Sequence, residues 1–259
     1  MTAATTRISR GAGGVAVRFS GVLVVLILWQ LAFSTQFISN VLLPAPAQVL
    51  DHLVRDVSGP RTVWRDIFAT LTAGALGLVV GAVTGGILGA IVGRSEVLDD
   101  LLRPYVNYVN AVPRVALVPL FIVSLGIGIV ARIALIWTLT FFATFYFMRA
   151  GVQSADRDLL STTELMGASR RDRWRLVIWP SAIPSLLTGI RLDLGLALLG
   201  TVASEIVVSQ AGIGYQISIR SASYDVSGIF SMLLLLGTIT SVAAIGVRAL
   251  ERRLLRWQL

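Results

Sequence analysis

Residues 67–93 read IFATLTAGALGLVVGAVTGGILGAIVG, a run without a single charge. Roughly 20 apolar residues suffice for an α-helix to cross the hydrocarbon core of a bilayer, so this stretch predicts a membrane span. Within it, Gly77, Gly81, Gly85, Gly89 and Gly93 recur at every fourth position. Such positions stack on one helical face and bare the backbone to another helix, so the stripe reads as a packing surface. The fold class follows from this segment and its neighbours: an all-α, polytopic membrane protein.

Outward from it, five more spans are predicted. The first covers 19–36, with its most apolar part at 21–33; the others cover 101–124, 129–148, 181–205 and 227–248. The first could be mistaken for a signal peptide, since Arg7, Arg10 and Arg18 precede it, but no small-x-small cleavage site follows. The third span is irregular, with Pro104, Pro113 and Pro119 along its length and Arg114 near its middle. Leu42-Leu43-Pro44-Ala45-Pro46 is extended, because two prolines forbid a helix through it. Composition agrees. Of 259 residues, 55% are hydrophobic and 14% charged, with mean hydropathy +0.80; a soluble domain carries about 25% charged residues.

All 22 basic residues are arginine. A nucleotide-binding P-loop needs a lysine, so the chain holds no ATP site of that kind. With no cysteine and only His52, disulfides, thiolate nucleophiles, histidine-cluster metal sites and Ser/His pairs are excluded. An acid/base enzyme using carboxylates stays open on composition, with the adjacent Asp99 and Asp100 as its candidates; adjacent carboxylates point different ways on a helix, so the preferred reading is a chain without its own metal or cofactor and without catalytic residues.

Fifteen arginines fall on the side of the N-terminus, five on the other side, and Arg114 and Arg191 within spans. Excess positive charge marks the cytoplasmic side, so both termini are expected there. The net charge of +8 is then topogenic and faces membrane lipid, not nucleic acid. The expected organisation is a cytoplasmic tail (1–18), a first span (19–36), an extracytoplasmic segment (37–62), a core (63–251) containing a cytoplasmic loop (149–180), and a basic tail (252–259).

That loop is patterned. Residues 159–166 predict a short helix stopped by Gly167, and 174–179 predict a second amphipathic piece ending at Pro180, the two set at a right angle. Ser161-Thr162-Thr163-Glu164-Leu165-Met166-Gly167-Ala168-Ser169, followed by Val177-Ile178-Trp179-Pro180, resembles the EAA loop of binding-protein-dependent ABC importer permeases. Gly167 and Pro180 stand at that pattern's separation. Val177 replaces Ile, Trp179 replaces Leu, and Ser161 stands where the family has its glutamate; Glu164 lies one helical turn later. Further segments resemble the branch serving sulfonate, taurine, nitrate, bicarbonate and thiamine-precursor uptake: Leu43–Leu50, Val112–Leu120, Ala131–Ile133, Gly189–Leu192, Ala211–Tyr215 and Leu250–Trp257.

The resemblance implies a type I importer permease subunit. Its coupling helix near 159–169 would dock an ATPase, with Ser161, Thr162, Thr163, Glu164, Leu165, Gly167, Ala168, Ser169 and Pro180 forming the contact or its frame. It implies as partners two ATP-binding subunits that hold ATP and magnesium, a second permease subunit (the same or a related chain), and an extracytoplasmic solute-binding protein. Gly212, Gly214 and Tyr215 are candidates for an outer gate or a contact with that binding protein.

Charge at bilayer depth is costly and marks a pathway or a partner. Arg114, Arg191, Asp193 and Glu205 are therefore the candidates for the translocation path or for intramembrane pairing. Arg191 lies roughly 15 Å into its span, near the midplane. Asp193, on nearly the opposite face, would pair with Arg114 or Arg191 across helices or subunits. Glu205 and Arg132, near the outer boundary, are expected to snorkel or to gate. A secondary transporter or channel relaying charge through Arg191, Asp193 and Glu205 is the alternative function.

Overall fold

A computed structural model describes residues 12–36, 38–59 and 63–254. Parts of the expected tails (1–11 and 255–259), and residues 37 and 60–62 of the expected extracytoplasmic segment, lie outside them. Every regular element among the described residues is a helix: α1 (Ala12–Ser34), α2 (Pro46–Ser58), α3 (Trp64–Gly93), α4 (Glu96–Ala111), α5 (Val118–Leu125), α6 (Ile129–Gln153), α7 (Arg157–Leu165), α8 (Arg170–Arg173), α9 (Trp179–Val208), α10 (Ile213–Ala222) and α11 (Val226–Leu254).

Four helical runs are long and apolar enough to cross a membrane: Trp64–Gly93, Ile129–Gln153, Arg170–Val207 and Val226–Ala249. A bent pair, Glu96–Ala111 with Arg114–Leu125, makes a fifth, and Ser20–Ser34 is a shorter apolar helix. The all-helical membrane fold expected from the sequence is the fold observed, with a count near six.

The chain divides into two compact units. In the larger, residues 63–219 with 234–259, the core is α3, α6 and α9. The glycine stripe of α3 lies directly on α6. A Cβ at Gly77 would stand 2.5 Å from Ile136 Cβ, one at Gly89 2.5 Å from the Phe145 carbonyl oxygen, and one at Gly93 2.9 Å from that of Arg149. At Gly81 and Gly85 it would strike Thr140 and the Phe141 carbonyl. The two backbones thus touch, and Thr140 Oγ1 lies 3.4 Å from the Gly77 carbonyl it faces. Small residues allow this approach, which supplies the van der Waals contact that holds helices together in lipid.

The smaller unit, residues 1–62 with 220–233, contains α1 and α2. Pro46 opens α2 in the first turn, where an N–H has no acceptor within the helix. Trp29 of α1 donates to the Pro44 carbonyl at 3.0 Å and its ring lies 5.6 Å from that of Phe230. Asp56 of α2 accepts from Arg220 at 2.6 Å and from Ser231 at 3.0 Å.

The irregular third span is broken, as its prolines suggest, and the break falls at Pro113: α4 and the segment Arg114–Leu125 meet at 78°. Pro113 bars its predecessor from the α region, and Val112 is extended (φ −65°, ψ 127°), whereas Pro104 lies inside α4 and Pro119 in the first turn of α5. One expectation needs correction: the second loop helix does not end at Pro180. It continues from Arg170 to Val207 without a break. A π turn at Trp174–Ile178 precedes the proline, and the Trp179 N–H reaches the Trp174 carbonyl, five residues back. The widened turn gives the pyrrolidine ring room, and Pro180 sits in the first turn of α9.

Candidate functional site

The loop between α6 and α9 is built from local bonds. Asp156 caps α7, accepting from the Asp158 N–H at 2.8 Å. At the other end Gly167 takes φ +83°, a conformation glycine adopts without strain. That lets its N–H reach the Glu164 carbonyl (2.9 Å) and the Ala168 N–H reach that of Thr163 (3.0 Å). This is a Schellman closure, and it satisfies carbonyls that the helix end leaves open. Ser169 starts α8 through a reciprocal cap with Asp172 (3.2 and 3.1 Å). Glu164 is bound to Arg173 at 2.6 Å, so it braces α7 against α8.

What the loop exposes is apolar as well as charged. Leu165 and Met166 are 90% and 81% exposed. Ser161 and Thr163 turn their hydroxyls back to the Arg157 and Leu159 carbonyls (2.9 Å each), so neither hydroxyl donates outward. Thr162 is exposed, Ala168 and Pro180 are half-buried. Nearby, buried Asp99 of α4 accepts from Arg149 of α6, from Arg103 (2.7 Å) and from Gln153 (3.3 Å), joining the start of α4 to the end of α6.

A second constellation lies where α9 turns into α10. Helix α10 begins with three donors, the N–H groups of Gly212, Ile213 and Gly214. They are taken by Asp66 Oδ1 (2.8 Å), Thr70 Oγ1 (2.9 Å) and Glu205 Oε2 (2.9 Å). Thr70 donates its own proton to Glu205 Oε2 at 2.9 Å, and Gln216 donates to Asp66 Oδ2 at 2.7 Å. Arg132 of α6 reaches Glu205 Oε1 at 3.3 Å. A helix start normally leaves its first N–H groups open; here side chains of α3 and α9 close them.

Glu205 therefore does not snorkel. It is fully buried, and its charge is held by Arg132, Thr70 and the Gly214 N–H. Gly212 and Gly214 are buried against it. A Cβ on Gly212 would strike the Glu205 carboxyl, and one on Gly214 would stand 2.6 Å from the Val202 carbonyl oxygen and 2.7 Å from Glu205 Cβ. These glycines serve close approach inside the fold and offer no outer surface; Tyr215 is half-buried. Asp66 and Thr70 were not singled out in the sequence. The signal for Asp66 was its place one residue before a charge-free span; Thr70 had none.

The remaining intramembrane residues are dispersed. Asp193 is buried, accepts from Thr144 of α6 at Oδ2, and leaves Oδ1 without a hydrogen-bond partner. Arg191 faces outward from the same helix. Arg114 sits at the break between α4 and α5, reaching back to the Asn110 carbonyl at 2.9 Å, with its guanidinium 4.9 Å from the Phe142 ring centre. Within the chain, then, the Asp193 carboxylate meets a hydroxyl rather than Arg114. The adjacent pair Asp99 and Asp100 does not converge: Asp100 is exposed and bonded to Arg103 at 3.0 Å.

Residues 77–256 match the family of binding-protein-dependent transport system inner membrane components, and the chain belongs to it. It is 30% identical over 239 residues to the taurine transport system permease protein TauC of Escherichia coli (strain K12), covering 90% of this chain and 86% of that one. It is 33% identical over 236 residues to the riboflavin transport system permease protein RibX of Chloroflexus aurantiacus (91% and 88% covered). Among solved structures it resembles an amino acid ABC transporter (TM-score 0.58, 18% identity, 76% of this chain and 94% of that one). It also resembles the MetNI methionine ABC transporter in an inward-facing form (TM-score 0.57, 20% identity, 79% and 96%). The chain is thus a multi-pass inner-membrane permease subunit of an ABC transporter and not an enzyme; ATP hydrolysis belongs to separate subunits. Family membership decides against the carrier or channel reading.

Proposed function

We propose that the chain pairs with a second permease subunit, its own copy or a related one. Together they form the path by which a small anionic or polar solute, handed over by an extracytoplasmic binding protein, enters the cell. Two ATPase subunits carrying ATP and magnesium dock on the loop between α6 and α9. Relatives named for taurine and for aliphatic sulfonates support a solute that carries an anionic group of the sulfonate kind. The arginine bias supports cytoplasmic termini, a cytoplasmic loop and an extracytoplasmic segment near 37–62. Arg114, Arg191 and Asp193 are the candidates along the path, and the clamp around Glu205, Gly212 and Gly214, with Tyr215 beside it, is the candidate outer gate.

One observation carries the docking role: Leu165 and Met166, nearly fully exposed, end a helix that is capped at both ends and braced by Glu164 and Arg173. A rigid apolar tip can transmit displacement; a flexible one absorbs it. Ser161, Thr162, Thr163, Ala168 and Ser169 frame this tip, and Gly167 and Pro180 set the angle at which it leaves the spans. The test is Leu165→Asp with Met166→Asp in a tagged chain purified from membranes. The ATPase subunits are expected to be lost while the permease melts as wild type. ATPases that stay bound and still drive uptake would overturn the assignment.

A further inference from the structure

Two cavities share Trp174 as a lining residue. The first is an open cleft of about 690 Å³ whose polar lining is Arg94, Arg170, Arg171 and Arg173. The second, about 490 Å³, is an apolar groove between α3 and α9, bounded by Gly86, Ala90, Met148, Trp179, Leu186 and Ile190. Trp174 lines both. Each volume is within the roughly 300–1,000 Å³ of small-molecule sites.

The cleft has an excess of positive charge. Among its four arginines only Arg173 has a carboxylate within ion-pair distance among the described residues, Glu164. The guanidinium carbon of Arg94 stands over the Trp174 ring, 3.5 Å from its centre, a cation–π contact that holds the group in place. The neighbouring Asp172 turns its carboxylate back to the Ser169 N–H at 3.1 Å. A guanidinium is planar and matches phosphate oxygens in pairs, and here Arg94 is held by the ring while Arg170 and Arg171 stand exposed beside it. The groove lies along Trp64–Gly93 and Arg170–Val207, two helical runs apolar enough to cross a membrane, with Trp174 between it and the charged cleft, and tryptophans mark the level where headgroup meets acyl chain.

We propose that this composite cavity holds one anionic phospholipid. Its phosphate lies among Arg94, Arg170 and Arg171, and an acyl chain lies in the groove past Gly86 and Ile190. A soluble anion would use the cleft and leave the groove empty, whereas a zwitterionic lipid would bring an ammonium group into a cluster of arginines. The lipid would bridge the end of α3 to α8, and so bind the loop to the helix core. The inference depends neither on which side the loop faces nor on the solute carried.

The test is native mass spectrometry of the assembled transporter, purified in detergent with equal phosphatidylglycerol and phosphatidylethanolamine. Wild type is expected to keep about one phosphatidylglycerol per permease in preference to phosphatidylethanolamine. Arg170→Gln with Arg171→Gln should lower that retention roughly tenfold or more. Gly86→Leu, which fills the groove, should lower it too. A Cβ there meets Thr144 and Leu186 at ordinary contact distances, 3.7 and 3.9 Å. Arg252→Gln with Arg253→Gln, in the exposed last turn of α11, serves as the control that leaves retention unchanged. Each variant is required to melt as wild type and to keep its ATPases. Equal retention of the two lipids, or equal loss in the control, overturns the proposal. So does insensitivity to Gly86→Leu, or displacement of phosphatidylglycerol by glycerol 3-phosphate, either of which would indicate a soluble anion. A wild type that retains no lipid, its groove covered by the second permease, overturns it as well.

Discussion

Replacing Glu205 with alanine tests the clamp at the start of α10. The side chain is fully buried and accepts from Thr70 and the Gly214 N–H at 2.9 Å each, with Arg132 at 3.3 Å. Truncation leaves the Arg132 guanidinium, itself only 12% exposed, without its counter-charge, and strips one N–H of its acceptor. Removing one partner of a buried pair costs about 3–5 kcal/mol. A chain of this length loses roughly 2–4 °C of melting temperature per kcal/mol, so a fall on the order of 10 °C is expected. Glu205→Gln keeps an acceptor oxygen and loses the charge, which should cost about 1.5–3 kcal/mol. The assay is a thermal melt of the purified permease in one detergent, with Arg132→Ala and the double variant Arg132→Ala/Glu205→Ala alongside. The double variant should lose less than the sum of the two singles, because one interaction is being counted twice. An alanine variant that melts with the wild type, or strictly additive losses, would refute the clamp.

Three other outcomes are expected. Gly85→Ala drives a Cβ into the Phe141 carbonyl, where backbone cannot yield, and should destabilise the α3–α6 pair by about 1–3 kcal/mol in the same melt; an unchanged melt would mean that the helices do not touch. Gly167→Ala meets no neighbouring atom, so its cost is the left-handed backbone alone, about 1–2 kcal/mol, and Gly167→Asn should cost less; equal melts for Ala and Gly would show that the Schellman turn does not form. Asp193→Asn removes a buried carboxylate that, among the described residues, is met by Thr144 and by no cation, so the melting temperature should hold or rise; a clear drop would reveal a cationic partner outside them.

Much of the molecule was legible along the chain because lipid imposes a one-dimensional rule. Every backbone group must be bonded within its own helix, so hydropathy and length alone place the spans. The glycine period of α3 announced a packing face, and Gly167 announced the end of α7. The sequence could not say that Pro113 divides a span while Pro180 does not. Both break the same local rule, and the π turn at Trp174–Ile178, which accommodates the second, is a choice of backbone register.

What residues 67–93 and the other apolar runs determined by themselves was the class of protein, since burial in lipid acts on composition and not on contacts. Only the tertiary structure decided what the charges do. It turned Glu205 from a boundary residue into the buried centre of a clamp, gave Asp193 a threonine, and brought Arg94, distant in sequence, onto Trp174 beside Arg170 and Arg171. The reason is physical: at low dielectric a charge is governed by its nearest partners within a few ångströms, and those partners come from other helices.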